Sequence, residues 1–270
     1  MQNIQNPKLC KKINRLSLEI LGFGRAQVHP DWSGEVVSPV YSRLYFITDG
    51  SFEIEGKDSG RFLLSAGNWY LIASGYSFNY SCKNAMEHFY FHVKLCDLDG
   101  TDILSAAQKK PLCLSPETPP DLDFFSQCIC SDDVVSGLKM RQKIFDVVLS
   151  FAEEFSIPIK AEDYSPYICR ALVYIKQNLS MSLTISEIAE NTFVSKSTLT
   201  KHFQKELNMA VNEYVSKCVM EQGERLLMTS SLSIRDIAQR LGFSDQFYFS
   251  RRFKEYFNKS PQRYKKEMHL

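Results

Sequence analysis

Residues 237–254 read IAQRLGFSDQFYFSRRFK, and residues 188–205 read IAENTFVSKSTLTKHFQK, so one pattern occurs twice. In each copy an Ile-Ala pair precedes a Ser, and two apolar residues four positions apart follow it. The matched pairs are Ile188 and Ile237, Ala189 and Ala238, Ser195 and Ser244, Leu199 and Phe249, and Phe203 and Phe253. The offset between the copies is 49 residues up to the Ser and 50 after it. Two copies are too few for a solenoid, so the pattern predicts a duplicated functional unit.

Each copy predicts a short helix, a tight turn and a longer helix. Apolar residues at i, i+4 and i+8 give the longer helix one buried face. These stripes are Leu199, Phe203 and Leu207 in the first copy and Phe249, Phe253 and Phe257 in the second. The opposite faces mix small polar side chains with Lys and Arg, which suits a helix that enters the major groove of DNA. The alternative is two amphipathic helices of a bundle with solvated charged faces, and two matched copies make that interpretation the weaker one.

The outward faces of the two longer helices supply the candidate DNA-binding residues. They are Lys196, Ser197, Thr200, Lys201 and Lys205 in the first unit, and Gln246, Phe247, Ser250, Arg251 and Lys254 in the second. The charge of the chain agrees with this placement. Residues 164–270 carry 16 Lys and Arg against 10 Asp and Glu, a net charge of +6, whereas residues 1–163 carry a net charge of −5. The basic half suits an anionic partner such as double-stranded DNA.

The stretch IRDIAQRLGFSDQFYFSRRFKEYFNKSPQRYKK (234–266) resembles the signature of AraC/XylS-type transcription regulators, including F-x-R-x-F-K and S-P-x-x-Y. Residues 164–270 resemble the seven-helix DNA-binding domain of that family, in which a long helix, here about 210–229, joins two helix-turn-helix units. The resemblance implies that the outward residues Ser197, Thr200 and Lys201 face bases in the first unit. In the second unit it implies this role for Gln246, Phe247, Ser250 and Arg251. Two departures are Phe193 and Asn208, which stand where the family usually has Gly.

The N-terminal half shows short strand-like runs separated by turn residues. RLYFIT (43–48) and SFEIEG (51–56) flank an Asp-Gly pair, which predicts a β-hairpin. Further runs follow at 61–65, 68–73, 77–82, 88–95 and 111–114. Strands at this spacing predict a β-barrel or sandwich. The family resemblance implies a cupin-like barrel for a small effector, followed by dimerisation helices.

The spacing of apolar residues changes after the strand-rich region, from alternation to steps of three or four. Residues 134–155 predict an amphipathic helix whose apolar positions are Leu138, Phe145, Val148, Leu149 and Ala152. This stripe could pack on the barrel or on its equivalent in a second chain. The predicted fold class is α+β in two domains. Residues 1–155 form the cupin-like effector-binding and dimerisation domain, residues 156–163 a linker, and residues 164–270 the double helix-turn-helix domain.

The barrel raises the question of a ligand or a metal. Candidate pocket residues are Trp32, Arg43, Trp69, His88, Tyr90 and His92, although core or surface positions would explain each of them equally well. Two His four residues apart on a strand lie ~13 Å from each other, too far to share one ion. We therefore predict no metal site, no cofactor and no catalytic residues. The alternative is a cupin-type metalloenzyme fused to a helical module.

The composition also bears on whether the protein is disulfide-bonded, membrane-spanning or secreted. The eight cysteines are scattered, which indicates reduced thiols, and no run approaches the ~18 apolar residues of a membrane helix. The N-terminal segment lacks the pattern of a signal peptide, so a cytoplasmic protein is expected, and the family resemblance implies a bacterial one. The expected partners are double-stranded DNA, a small-molecule effector for which a sugar is one candidate, a second copy of the chain, and RNA polymerase if the regulator is an activator.

Overall fold

A computed structural model describes residues 6–30, 32–36, 39–57 and 59–268. The chain divides into two compact units, the first ending at Ala161 and the second beginning at Glu162, with Leu98–Gly100 belonging to the second. The first unit is rich in strands and the second is helical. The predicted fold class, α+β in two domains, is confirmed. The bounds 1–155, 156–163 and 164–270 stay a prediction.

The described part of the first unit contains two antiparallel sheets. Their strands are β1 (Ser17–Val28), β2 (Ser33–Val36), β3 (Ser42–Asp49), β4 (Ser51–Gly56), β5 (Gly60–Ser65), β6 (Trp69–Ile72), β7 (Phe78–Ser81), β8 (Met86–Cys96) and β9 (Leu112–Leu114). The five-stranded sheet has the order β1-β8-β3-β6-β9, and the four-stranded sheet has the order β2-β7-β4-β5. Aromatic and aliphatic side chains from both sheets form a shared interior.

The predicted hairpin at 43–56 is wrong. Strand β3 pairs with β6 and β8 in one sheet, whereas β4 pairs with β5 and β7 in the other. The Asp-Gly turn exists, with a φ of +72° at Gly50, but it carries the chain from one sheet to the other. Strand β3 is buried on both faces and therefore lies between two cores, which a local turn signal cannot show.

Helices cover the outer face of the five-stranded sheet. Within the described residues, α1 (Pro7–Ile13) precedes the strands, and a 3-10 helix (Ile103–Ala107), α2 (Leu122–Ile129) and α3 (Val134–Glu154) follow β8. Helix α3 buries Met140, Ile144, Val148, Phe151 and Ala152. These residues belong to the core cluster that includes the outward side chains of β3, β6 and β8.

The predicted apolar stripe of α3 is correct only in part. Val148 and Ala152 are buried, Phe145 and Leu149 are half-buried, and Leu138 is 57% exposed. The buried stripe is rotated toward Ile144 and Phe151 because apolar residues occupy more than one face of this helix, so the period alone does not select the face. One side of α3 therefore packs on its own sheet, and Leu138 lies outside that contact.

The helical unit contains seven described helices around one core. They are α4 (Pro166–Gln177), α5 (Ile185–Thr192), α6 (Lys196–Leu207), α7 (Val211–Thr229), α8 (Ile234–Arg240), α9 (Gln246–Phe257) and α10 (Pro261–Met268). Helices α5–α6 and α8–α9 are the duplicated units, and α7 joins them. Capping boxes at Thr184 with Glu187 and at Ser233 with Asp236 start the two short helices.

The caps of the longer helices explain the change of offset from 49 to 50. Ser195 Oγ accepts from the Thr198 N–H at the start of α6. At the start of α9 the side chain of Asp245, one residue after the matched Ser244, accepts from the N–H groups of Phe247 and Tyr248. The second unit therefore uses its extra residue as the helix cap.

Both helix-turn-helix turns contain one residue with left-handed backbone, but the residue type differs between them. Gly242 has a φ of +77° in the second turn, and Phe193, its equivalent 49 residues earlier, has a φ of +59° in the first. Left-handed backbone costs an ordinary residue ~1–2 kcal/mol, and only glycine adopts it freely. The ring of Phe193 is 87% exposed, so packing offsets little of this strain.

Replacing Phe193 by glycine is expected to stabilise the helical unit. The expected gain in the free energy of unfolding is ~0.5–1 kcal/mol, because relief of the left-handed strain exceeds the entropy that glycine adds to the unfolded chain. Phe193→Ala is the matched control, since alanine keeps the Cβ and should bring no gain. Urea unfolding followed by circular dichroism measures both variants. A Phe193→Gly protein less stable than the parent would contradict this account of the turn.

Candidate functional site

The outward face of α6 presents the residues that the sequence placed there. Its five candidate side chains, Lys196, Ser197, Thr200, Lys201 and Lys205, are all exposed. Leu199 and Phe203 are fully buried on the opposite side, in the core of the helical unit. The exposed face of α6 therefore takes no part in core packing, and it carries three positive charges.

Helix α9 presents its face in the same way, with two differences. Phe247, Arg251 and Lys254 are exposed, whereas Gln246 and Ser250 are half-buried. Ser250 Oγ donates to the carbonyl oxygen of Gln246 at 2.7 Å, so its proton is used within the helix. The Arg251 guanidinium lies 5.4 Å from the centre of the Tyr248 ring, which places the charge over the first turn of α9.

A groove of about 940 Å³ runs beside α6. Its rim combines Lys196 and Lys201 of α6 with Thr184 and Ser186 at the start of α5 and Asn212 at the start of α7. The start of α7 has no side-chain cap, so its N–H groups and the positive end of its helix dipole attract anions, whereas the capping box of Thr184 and Glu187 already uses the N–H groups at the start of α5. The groove thus has the chemistry to hold a phosphate backbone next to α6. Thr184, Ser186 and Asn212 were not predicted: Thr184 is a cap residue at the start of α5, but Ala210, the N-cap of α7, gives no such signal.

Polar contacts hold α6 and α9 in place. Glu206 of α6 accepts from the N–H and the hydroxyl of Ser165 at 2.8 and 2.9 Å, and His202 Nδ1 lies 3.2 Å from Glu206 Oε1. Burial opposes ionisation of Glu206, but these hydrogen bonds keep its pKa below the usual value. On α9, Arg252 donates to Ser216 of α7 at 3.2 Å. Both longer helices are therefore fixed to their neighbours by side chains that point away from the exposed face.

The interior of the two-sheet unit contains most of the predicted pocket residues. The ring centroid of Trp32 lies 4.3 Å from that of Tyr80, with the ring planes tilted by 38°, and 6.4 Å from that of His88. Tyr90 lies between His88 and His92, at 6.2 and 5.3 Å from their rings. The buried guanidinium of Arg43 lies 4.8 Å above the ring of Tyr41 and donates to its hydroxyl at 3.3 Å. Trp32, Arg43, His88, Tyr90 and His92 thus share one interior.

His88 is the unusual group of this interior. Its side chain is 4% exposed, and among the described residues its Nδ1 atom has no hydrogen-bond partner. Burial lowers the pKa of His88 to about 4, against an opposing effect of the Glu87 carboxylate. Burial, then the charges of Arg43 and His88, hold the pKa of His92 well below its usual value. Both imidazoles are therefore neutral at neutral pH and can donate one hydrogen bond and accept one.

Trp69 does not belong to this interior, and its assignment to the pocket is corrected. It is 2% exposed and packs on the outer face of the five-stranded sheet, 5.1 Å from Phe46, 6.1 Å from Phe91 and 6.4 Å from Phe125 between ring centroids. Neighbouring residues of a strand point to opposite faces, so Tyr70 lies in the interior and Trp69 lies under α2.

Neither a metal site nor a membrane helix occurs within the described residues. In that part of the chain no three His, Cys, Asp or Glu side chains come together as they would around one metal ion. Each helix within residues 6–30, 32–36, 39–57 and 59–268 is too short or too polar to cross a membrane.

Comparisons with known proteins agree with the duplicated unit. The family described as a helix-turn-helix domain matches residues 188–267. The Msm operon regulatory protein of Streptococcus mutans serotype c is 27% identical over 269 residues, 95% of each chain. The lactose operon transcription activator of Staphylococcus xylosus is 24% identical over 241 residues, 83% of each chain. The transcriptional activator AarP of Providencia stuartii is 33% identical over 101 residues, 37% of this chain and 75% of AarP.

The whole fold also has a solved counterpart. The structure of unsaturated fatty acid-bound wild-type ToxT from Vibrio cholerae strain SCE256 matches with a TM-score of 0.53 at 16% identity, over 90% of this chain and 94% of ToxT. At this identity the match concerns the fold alone. The seven-helix unit with its two helix-turn-helix motifs and the relatives that share it lead to one assignment: the chain belongs to the AraC/XylS family of transcription regulators.

Proposed function

We propose that the protein binds specific DNA sites through α6 and α9 and that a small molecule in the interior of the two-sheet unit controls this binding. The observation that carries the first half is the pair of exposed, basic faces on two matched recognition helices. Ser197, Thr200, Lys201, Gln246, Phe247, Ser250 and Arg251 are the proposed base-facing residues. Lys196, Lys205 and Lys254 are proposed to support them, Lys205 as a phosphate contact.

Selection of sites from a randomised DNA library tests the DNA-binding proposal. Two recognition helices of one protomer that enter successive major grooves lie ~34–36 Å apart along the duplex. The enriched half-site should therefore be asymmetric and about 17–20 base pairs long, with two short boxes roughly one turn apart. A library that shows no enrichment, or a single box, would reject the proposal that both units read DNA.

For the effector, we infer a neutral sugar. Neutral imidazoles and aromatic rings suit the hydroxyl groups and apolar faces of a sugar ring, and the buried Nδ1 of His88 would accept from a hydroxyl. The relative from Staphylococcus xylosus is named for a lactose operon, which favours this class. The bound fatty acid of ToxT indicates a second candidate class for the same fold.

His88→Phe is expected to weaken effector binding by about 5- to 150-fold, because a hydroxyl buried without a partner costs ~1–3 kcal/mol. A thermal-shift screen of sugars and fatty acids on the full chain identifies the effector, and titration calorimetry compares the variants. His29→Gln replaces an exposed histidine outside the interior and is the matched control. Binding to the parent should be constant from pH 6 to 8 and weaken as the pH falls toward the His88 pKa of about 4. Stabilisation by fatty acids and by no sugar would contradict the sugar assignment.

We also infer a homodimer formed through the exposed side of α3. Leu138→Glu should give folded monomers in sedimentation, because Leu138 is exposed in the single chain and its replacement leaves the core of the first unit unchanged. Ile144→Glu is the contrasting variant, since it introduces a charge into the core and should unfold the first unit. A Leu138→Glu protein that remains dimeric would place the interface elsewhere.

The remaining assignments follow from this role. A regulator of transcription acts in the bacterial cytoplasm, and RNA polymerase is its partner if it activates. We infer that the protein is not an enzyme, because the relatives named above are regulators. Within the described residues no cluster of His, Cys, Asp or Glu side chains supports the alternative of a metalloenzyme.

A further inference from the structure

Phe247 is an exposed aromatic side chain at the start of α9. It is 76% exposed, whereas Phe249 and Phe253 of the same helix are fully buried. The Asp245 carboxylate accepts from the N–H groups of Phe247 and Tyr248, both at 2.8 Å, so the backbone of this first turn is held in place. The ring of Phe247 takes no part in the core of the helical unit and is therefore available to a partner.

Arg251 shares the face of Phe247. Residues four positions apart on a helix have Cβ atoms about 5–6 Å from each other. The Arg251 guanidinium also extends back over the Tyr248 ring, toward the first turn. The ring of Phe247 and the charge of Arg251 are thus presented together at the N-terminal end of α9. In helix-turn-helix proteins this end of the recognition helix contacts the edges of bases.

We propose that Phe247 recognises a thymine through its C5 methyl group, within two base pairs of the guanine that Arg251 contacts. This inference rests on the proposed DNA-binding function of α9. Thymine presents a methyl group in the major groove, and phenylalanine is among the side chains that contact it. A separation of about 5–6 Å between the two side chains corresponds to one or two steps of ~3.4 Å along the duplex.

Replacement of thymine by deoxyuridine tests the proposal, because it removes the C5 methyl group and leaves the base pairing unchanged. The full chain first selects its site, and each thymine of that site is then replaced in turn. In the parent, one replacement in the box bound by α9 should weaken binding about fourfold, which is ~0.8 kcal/mol for one methyl group. The same replacement should have no effect on Phe247→Ala and a reduced effect on Phe247→Leu.

Phe193→Ala is the matched control, because Phe193 is an exposed phenylalanine outside α9 and its loss should leave the deoxyuridine effect at fourfold. A parent protein insensitive to every deoxyuridine overturns the proposal, as does an effect that persists in Phe247→Ala. An even loss of affinity in Phe247→Ala across all sequences also overturns it, since the ring would then only position the helix. A parent that selects no site at all rejects the DNA-binding function itself, and so the two failures are distinguishable.

Discussion

Phe249→Ala is expected to lower the free energy of unfolding of the helical unit by ~3–5 kcal/mol, the usual cost of removing a buried phenylalanine ring. Phe249 is fully buried, and its ring centroid lies 5.3 Å from that of Phe243 and 5.6 Å from that of Phe253. These rings hold α9 against the core of the second helix-turn-helix unit. Because a domain is stable by only ~5–15 kcal/mol, this loss removes a large share of the stability that holds α9 in place.

Phe247→Ala is the matched control for this prediction, because it removes the same ring two residues away from an exposed position. Its effect on stability should stay within ~0.5 kcal/mol. Thermal and urea unfolding of the full chain measure both variants. Equal stability losses in the two variants would contradict the assignment of one face of α9 to the core and the other to solvent.

The helical unit could be predicted closely from the sequence because its signals are local. Ser195, Thr184 and Ser233 stand where side chains cap helices, and the apolar residues recur at the helical period. Even the departure at Phe193 was informative, since the structure has the left-handed backbone that a glycine would favour at that position. The groove rim at Thr184 and Asn212 was missed because it joins the starts of separate helices.

The strand-rich unit was predicted less well because its signals are long-range. Asp49 and Gly50 predict a turn. The sheet that each flanking strand joins depends on distant partners, such as residues 88–93 of β8. Trp69 was misplaced because all four residues of β6 are buried, so the alternation of polar and apolar residues that would identify the inner face is missing. On α3 apolar residues occupy several faces, so the helical period alone did not separate the exposed Leu138 from the residues that pack on the sheet.

Arg251→Ala is expected to change which DNA sequences are bound rather than how strongly the chain binds DNA in general. An arginine that contacts guanine with two hydrogen bonds contributes ~1–3 kcal/mol of discrimination, so the preference at one position of one box should fall by about 5- to 150-fold. The guanidinium is exposed and lies over Tyr248 at the start of α9, where it can reach a base edge.

Lys205→Ala provides the contrasting result, because an exposed lysine that contacts phosphate carries no sequence information. It should weaken binding to all sequences together and lower the slope of log affinity against log salt by ~1. Binding to a randomised library at two salt concentrations measures both effects in one experiment. If Arg251→Ala instead lowers affinity evenly at every position, the exposed face of α9 contacts the backbone and does not read bases.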